Sequence, residues 1–165
     1  MRIKELLEEQ VTAGISEGPS DWEPMNLDQA GKQKEIDYFY KEHAPKYGNP
    51  RKVGTLAGHD VIVITKDRFR FIFLVNSKDQ AVFYMAIRKM PDGVFAVGNV
   101  RSNGTVKATD VYNYLVNKYK KLYSDKHQTP EGRKIWANLA KYYPNLKIVD
   151  TGPRFMATVN DEIKS

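Results

Sequence analysis

The chain has 165 residues, no cysteine and a hydrophobic fraction of 41%. This length predicts one domain with a real hydrophobic core, and the lack of cysteine excludes disulfides, thiolate metal sites and a cysteine nucleophile. No apolar stretch reaches the length of a membrane span and the first residues do not resemble a secretory signal, so we expect no membrane partner and a cytoplasmic protein.

The net charge of +6 is unevenly distributed. Residues 1–31 contain 2 basic and 7 acidic residues, a net charge of −5, whereas residues 32–165 contain 24 basic and 13 acidic residues, a net charge of +11. We therefore predict an acidic N-terminal arm or linker over 1–31 and a basic domain over 32–165. A basic domain suits a polyanionic partner, either nucleic acid or a phosphate-rich cofactor such as coenzyme A, although a solvated lysine surface explains the charge equally well.

The arm has two parts. Residues 1–9 have the pattern of a short amphipathic helix, with Ile3, Leu6 and Leu7 on one side. Residues 10–31 are rich in glycine and proline, which is typical of a linker. Residues 1–9 are either a frayed end, a helix docked on the chain's own domain, or a docking segment for a partner.

The domain begins with a predicted helix over 32–43, which Pro45 ends. The pattern then changes to short apolar runs separated by turns, which predicts an antiparallel meander. The predicted strands are residues 52–56, 61–64, 69–75, 81–87 and 94–100.

The second half predicts two helices and three strands. An apolar stripe at helical spacing runs from Ala108 to Tyr119, and a short strand follows at 121–124. Thr129 and Pro130 then form a good helix start for a helix up to Tyr143. Two closing strands follow, at 146–149 and 155–159. A helical crossover between strands 94–100 and 121–124 requires them to be parallel, so we expect an α/β domain with a mixed, mostly antiparallel twisted sheet flanked by helices.

A glycine-bearing turn connects the strand at 94–100 to the helix that follows it. This arrangement directs backbone N–H groups and the positive end of a helix dipole to one point, which favours an anion. The turn reads Arg101-Ser102-Asn103-Gly104-Thr105-Val106. In its position between strand and helix, it resembles the signature with which GNAT-type N-acetyltransferases hold the pyrophosphate of acetyl-CoA; Val106 stands where that family has a small residue.

A second resemblance covers residues 93–150. The stretch Leu122-Tyr123-Ser124-Asp125 is followed by Gln128, Thr129, Gly132, Ile135, Trp136 and Leu139. This order is similar to that of small acetyltransferase-like proteins encoded by bacteriophages. The resemblance implies a GNAT-like fold, acetyl-CoA as acyl donor and an amine or protein as acceptor, and it implies the host cytoplasm or a virion as the location.

The resemblance also implies the site residues. Tyr123 would be the catalytic acid that protonates the leaving thiolate, because Trp136 stands where the family usually has a tyrosine and an indole cannot supply a proton near neutral pH. The implied cofactor-binding residues are Val100, Arg101, Ser102, Asn103, Gly104, Thr105, Val106, Lys107, Ala108 and Trp136.

Two other functions stay open at this stage. The chain is alternatively a catalytically degenerate GNAT-fold phage protein that acts by binding a host or virion protein. It is also a candidate nucleic-acid-binding protein, since Tyr112, Tyr114 and Tyr119 alternate with basic residues, although Tyr112 and Tyr119 lie on the apolar stripe and are expected in the core. No metal site is expected.

Overall fold

The computed structural model describes residues 29–125 and 129–159. The predicted arm, apart from its last three residues, lies outside them, as do His127 and Gln128 of the loop after Asp125. The helices are α1 (Gln29–Tyr38), α2 (Ala108–Tyr119), α3 (Pro130–Ala137) and α4 (Leu139–Tyr142). The strands are β1 (Arg51–Leu56), β2 (His59–Lys66), β3 (Phe69–Val75), β4 (Ala81–Lys89), β5 (Phe95–Ser102), β6 (Lys121–Tyr123), β7 (Leu146–Asp150) and β8 (Phe155–Val159).

The eight strands form one open sheet in the order β1-β2-β3-β4-β5-β6-β8-β7. All neighbouring strands are antiparallel except β5 and β6, which are parallel and are joined through α2. The predicted α/β class and mixed, mostly antiparallel sheet are therefore confirmed, and the arrangement is compatible with a GNAT-like fold. The parallel pair follows from the helical crossover, as the sequence pattern required.

The sheet is the middle layer of the domain, with helices on both faces. In β3, Phe69, Phe71 and Phe73 lie on the face that α1 covers, which we call the α1 face. The alternate residues Ile72 and Leu74 lie on the opposite face, the α2 face, together with buried side chains of α2, α3 and α4. Because β3 is buried on both sides, it reads as a continuous apolar run rather than as a strict alternation.

Aromatic packing holds the N-terminal helical segment on the sheet. Helix α1 continues into a π-helical turn at Phe39–His43 and a 3₁₀ turn at Ala44–Lys46. The Phe39 ring centroid lies 4.8 Å from that of Tyr84 and 5.9 Å from that of Phe73. The helix starts at Gln29, three residues earlier than the predicted boundary of the domain.

The predicted helix up to Tyr143 is interrupted. Thr129 caps α3 as expected, since its hydroxyl oxygen accepts the N–H of Gly132 at 3.1 Å. At Asn138 the backbone leaves helical geometry, with φ −103° and ψ 5°, and the side-chain amide of Asn138 donates to the carbonyl oxygen of Lys134 at 2.9 Å. Asparagine competes for backbone hydrogen bonds in this way, so it divides one apolar stripe into two short helices.

Within residues 29–125 and 129–159, no helix is both long and apolar enough to cross a membrane.

We expect Phe39→Ala to lower the free energy of unfolding by about 3–5 kcal/mol, because it removes a ring that is 1% exposed and leaves a cavity between α1 and the sheet. Tyr38→Ala is the matched control, since Tyr38 is the preceding residue and is 57% exposed; its effect should stay below about 1 kcal/mol. Urea unfolding measures both, and equal losses would contradict the described packing of α1.

Candidate functional site

Strands β5 and β6 separate soon after they meet. They pair only through Phe95 with Leu122 and through Ala96 with Tyr123, although β5 continues to Ser102. Residues 97–102 therefore have no neighbouring strand on that side among the described residues. We call the space beside them the strand gap. It opens at the carboxyl ends of two parallel strands, which is where ligands bind in open α/β sheets.

A β-bulge in β5 accompanies this separation. Opposite β4, Val97 pairs with Ile87 and Val100 pairs with Met85, so Gly98 and Asn99 together face the single residue between them on β4. An extra residue of this kind bends a strand and increases its twist. The bulge begins two residues after the last β5–β6 pair, at Ala96, and so turns β5 away from β6 at the start of the gap.

The glycine-bearing turn follows β5 and is held by its own side chains. The N–H of Gly104 donates to the Ser102 hydroxyl at 3.0 Å, and the N–H of Thr105 donates to the Asn103 side-chain oxygen at 2.8 Å. Gly104 has φ +95°, a conformation that favours glycine. In this conformation two of the turn's amides already have acceptors, so its predicted role in binding an anion stays a prediction.

Arg101 points to α1 instead of the turn. It lies opposite Tyr84 on the α1 face, and its Nε is 3.4 Å from Oε1 of Glu35. Burial lowers the pKa of Arg101, an effect that the carboxylate of Glu35 opposes, and burial also raises the pKa of Glu35. The side-chain amide of Asn103 likewise donates to Gln33 at 2.7 Å. Both residues attach the end of β5 to α1, and their assignment to cofactor binding stays a prediction.

The N-terminus of α2 is the part of this region best suited to an anion. Lys107 is the N-cap residue and provides no side-chain hydrogen bond to the first turn. The amides of Ala108 and Thr109 therefore have no cap at the positive end of the helix dipole. Val106 is 3% exposed and packs in the core, so its branched side chain does not obstruct the turn.

Tyr123 lies at the apex of the strand gap. Its partner across the sheet is Ala96, the last residue of β5 that β6 pairs. Because Leu122 points into the α2 face, the next side chain, Tyr123, lies on the α1 face. The Tyr123 hydroxyl donates to Oδ2 of Asp92 at 2.6 Å, and the N–H of Val94 donates to Oδ1 of Asp92 at 2.9 Å. The backbone of Tyr123 therefore lies at the gap, whereas its hydroxyl is bonded to the turn that precedes β5, at the end of the strand opposite to the gap.

The hydrogen bond between Tyr123 and Asp92 affects both groups. It is the main reason that the pKa of the Tyr123 phenol is raised above its ordinary value and that the pKa of Asp92 is lowered. The guanidinium of Arg154 lies over the Tyr123 ring, 5.4 Å from its centroid. At neutral pH the phenol thus keeps its proton between an anionic and a cationic side chain.

A cavity of about 370 Å³ surrounds this tyrosine, and we call it the Tyr123 pocket. Its walls are the β4–β5 turn (residues 90–92), Tyr123, and Thr151, Pro153 and Arg154 of the β7–β8 turn. The sequence analysis treated both turns only as turns, so it missed Asp92 and Arg154. Nothing in the local sequence marks them, because the strand order β5-β6-β8 brings the two turns to Tyr123.

The neighbouring Ser124 is a structural residue. It is fully buried, and its hydroxyl accepts the N–H of Phe155 at 2.8 Å while its own N–H donates to the carbonyl oxygen of Phe155 at 2.9 Å. These bonds hold the start of β8 beside the end of β6. They thereby fix the β7–β8 turn next to Tyr123.

Trp136 lies in the core. It is 3% exposed, and its ring centroid is 4.8 Å from that of Tyr112. Burial raises the pKa of Tyr112 to about 12. A direct contact between the indole and a cofactor would require α3 to move, so the assignment of Trp136 to cofactor binding stays a prediction.

Among the described residues, no group of three or more histidine, aspartate or glutamate side chains is placed to hold a metal ion. Comparison with models of known protein families finds no match to this chain, and comparison with curated proteins finds none either.

We expect Glu35 and Arg101 to be energetically coupled, because both are largely shielded from solvent, with side chains 23% and 21% exposed. A double-mutant cycle with Glu35→Ala and Arg101→Ala, followed by urea unfolding, should give a coupling of roughly 0.5–3 kcal/mol. The control is Lys52 with Asp60, an exposed pair on β1 and β2, for which we expect less than about 1 kcal/mol. A coupling no larger than that of the control would show that the pair does not hold α1 to β5.

Proposed function

We propose that this protein is an acyl-CoA-dependent N-acetyltransferase with a GNAT-like fold. The observation that supports this most is the strand gap with a protonated tyrosine at its apex. An opening between parallel strands can admit a slender chain, and Tyr123, whose backbone lies at its apex, is the proposed proton donor. The resemblance to bacteriophage proteins is consistent with this proposal, and a phage origin with action in a host cytoplasm or on a virion is part of it.

The residues around the gap fit a coenzyme A donor in two respects. On the β6 side, β5 has no neighbouring strand at residues 97–102 among the described residues, so its backbone there is suited to the amide groups of a pantetheine arm. The uncapped first turn of α2, with the exposed Lys107 beside it, is suited to phosphates. The turn amides of Gly104 and Thr105 would join them only after releasing Ser102 and Asn103.

Acetyl-CoA supplies an activated acyl group as a thioester. In the transfer, a bond forms between the acceptor nitrogen and the acyl carbon, the carbon–sulfur bond breaks, the nitrogen loses a proton and the thiolate gains one. The residues of this chain would contribute backbone donors of β5 and a phenolic proton from Tyr123. Because its pKa is raised, Tyr123 holds that proton across the neutral range.

A second candidate is a GNAT-like scaffold without catalysis, which acts by binding a host or virion protein. It is favoured by the turn that follows β5: Arg101 pairs with Glu35, and the turn satisfies two of its own amides. Direct nucleic-acid binding is less favoured. Tyr112 is only 8% exposed, so it provides no stacking surface for a base.

Acetyl-CoA should bind at the α2 N-terminus. Lys107→Glu should lower the affinity for acetyl-CoA by roughly tenfold or more, because the introduced carboxylate repels the phosphates at the helix terminus. Calorimetric titration with acetyl-CoA measures this. Lys78→Glu, in the turn between β3 and β4, is the control with the same change of charge and should bind like the wild type. A wild type without measurable binding would refute the donor site and favour the scaffold function.

Tyr123→Phe should reduce kcat by roughly 10²–10⁴ with little change in acetyl-CoA affinity, which is the usual scale for loss of a general acid. Tyr142→Phe is the control, since Tyr142 is 75% exposed and lies on α4. The pH profile of the wild type should fall on the alkaline side as the phenol ionises, and Asp92→Asn should move that fall to lower pH, because Asp92 raises the pKa of Tyr123. Full activity of Tyr123→Phe would exclude this role.

A further inference from the structure

The Tyr123 pocket carries opposite charges on its two sides. Asp92 contributes a carboxylate from the β4–β5 turn, and Arg154 contributes a guanidinium from the β7–β8 turn. Among the described residues no ion pair joins these two side chains, since Tyr123 lies between them, bonded to one through its hydroxyl and covered by the other on its ring. The pocket therefore keeps a separated positive and negative charge on its surface.

A second guanidinium, that of Arg88, lies on the same face of the sheet but does not line the pocket. Arg88 lies in the same row of the sheet as Ala96 and Tyr123, so it shares the α1 face with them. Its Nε is buried and has no hydrogen-bond partner among the described residues, and its Nη2 contacts only the weak acceptor Sδ of Met90, at 3.6 Å. Burial and the charge of Arg88 both lower the pKa of Arg154, so the two guanidinium groups lie close enough to interact, and a carboxylate bonded to Arg154 would also be attracted to Arg88.

The remaining neighbours define the kind of ligand. Met90, Pro91 and Pro153 form apolar walls between the charged groups. After the hydrogen bond from Tyr123, the charge of Lys121 also lowers the pKa of Asp92. Burial lowers the pKa of Arg154, and the charge of Asp125 opposes this change. Because Lys121 is basic and Asp125 is acidic, the two add no net charge to the pocket. A cavity of about 370 Å³ is at the small end of ligand sites, which are roughly 300–1,000 Å³.

We propose that the Tyr123 pocket binds the acyl acceptor, and that this acceptor is a free α-amino acid with an apolar side chain. Its carboxylate is held by Arg154, its ammonium group is held by Asp92, and its side chain lies against Met90, Pro91 and Pro153. The assignment of the ligand as an acceptor rests on the proposed acetyl transfer. In that reaction the ammonium group would lie next to the proposed proton donor, because Asp92 is bonded to the Tyr123 hydroxyl.

Binding is measured first, without acetyl-CoA, by NMR titration of the full chain with leucine, methionine and phenylalanine. At least one should bind with saturation at the residues of the pocket. For that amino acid, the decarboxylated amine and the N-acetyl derivative should each bind roughly 10- to 100-fold more weakly, because each lacks one charge-assisted contact. Saturable binding by none of the three, or equal binding of the amino acid and its two analogues, would overturn the proposal.

Two variants test which side chain binds which charged group of the amino acid. Arg154→Gln should weaken the binding of the amino acid but not that of its decarboxylated amine, whereas Asp92→Asn should weaken the binding of both. Arg133→Gln is the matched control, since Arg133 also lies over an aromatic ring, that of Phe155 at 4.9 Å, but lines a different cavity. Wild-type affinity in Arg154→Gln would overturn the assignment of the carboxylate site.

The acetyl-CoA titration separates this inference from the proposed function. If acetyl-CoA binds and no amino acid does, the acceptor class is wrong while the transferase function stands. If an amino acid binds and acetyl-CoA does not, the pocket is a binding site for amino acids and the transferase function is wrong.

Discussion

The geometry of the site depends on the short pairing between β5 and β6. Two residue pairs join them, Phe95 with Leu122 and Ala96 with Tyr123, before the bulge at Gly98 and Asn99 turns β5 away. A longer β6 would close the gap with ladder hydrogen bonds and leave no room for a ligand. Because the pairing ends at Tyr123, a titratable side chain lies at the point where the two strands separate. The proposed chemistry uses a side chain at this point, and the strand pairing of the backbone determines that the residue there is Tyr123.

The two faces of the sheet present different chemical groups at this site. On the α2 face, an uncapped helix terminus with Lys107 beside it offers an anion site. On the α1 face, Tyr123 lies between Asp92 and Arg154 in a small cavity with apolar walls. In the proposed transfer, the donor and the acceptor would approach the gap from opposite sides, so neither ligand would have to displace the other. Holding the two reactants close together in a fixed orientation would then accelerate the reaction.

The N-terminal helix has a further effect on the end of β5. Glu35 pairs with Arg101 and Gln33 accepts from Asn103, while Phe39 anchors the helical segment among the rings of the α1 face. These contacts fix the residues on either side of Ser102, and hence the conformation in which the turn satisfies its own amides. The turn therefore cannot change shape without some change in its contacts with α1. The stability of α1 and the conformation of the glycine-bearing turn are therefore linked through the same side chains.

The sequence alone determined the elements and the class of the fold. Periodicity placed all eight strands to within a few residues, because alternation is a local consequence of burial, but it did not show that the helix predicted up to Tyr143 is divided at Asn138. The parallel pair followed from the helical crossover, and Tyr123 was named as a candidate through the resemblance to acetyltransferases. Only the tertiary structure decided which other groups surround it. Asp92 and Arg154 lie on two turns distant in the chain and meet because β8 inserts between β6 and β7, and Arg101 points to Glu35 because the bulge sets the face on which it lies. Strand order and strand face are properties of the assembled sheet, and no local pattern in the sequence encodes them.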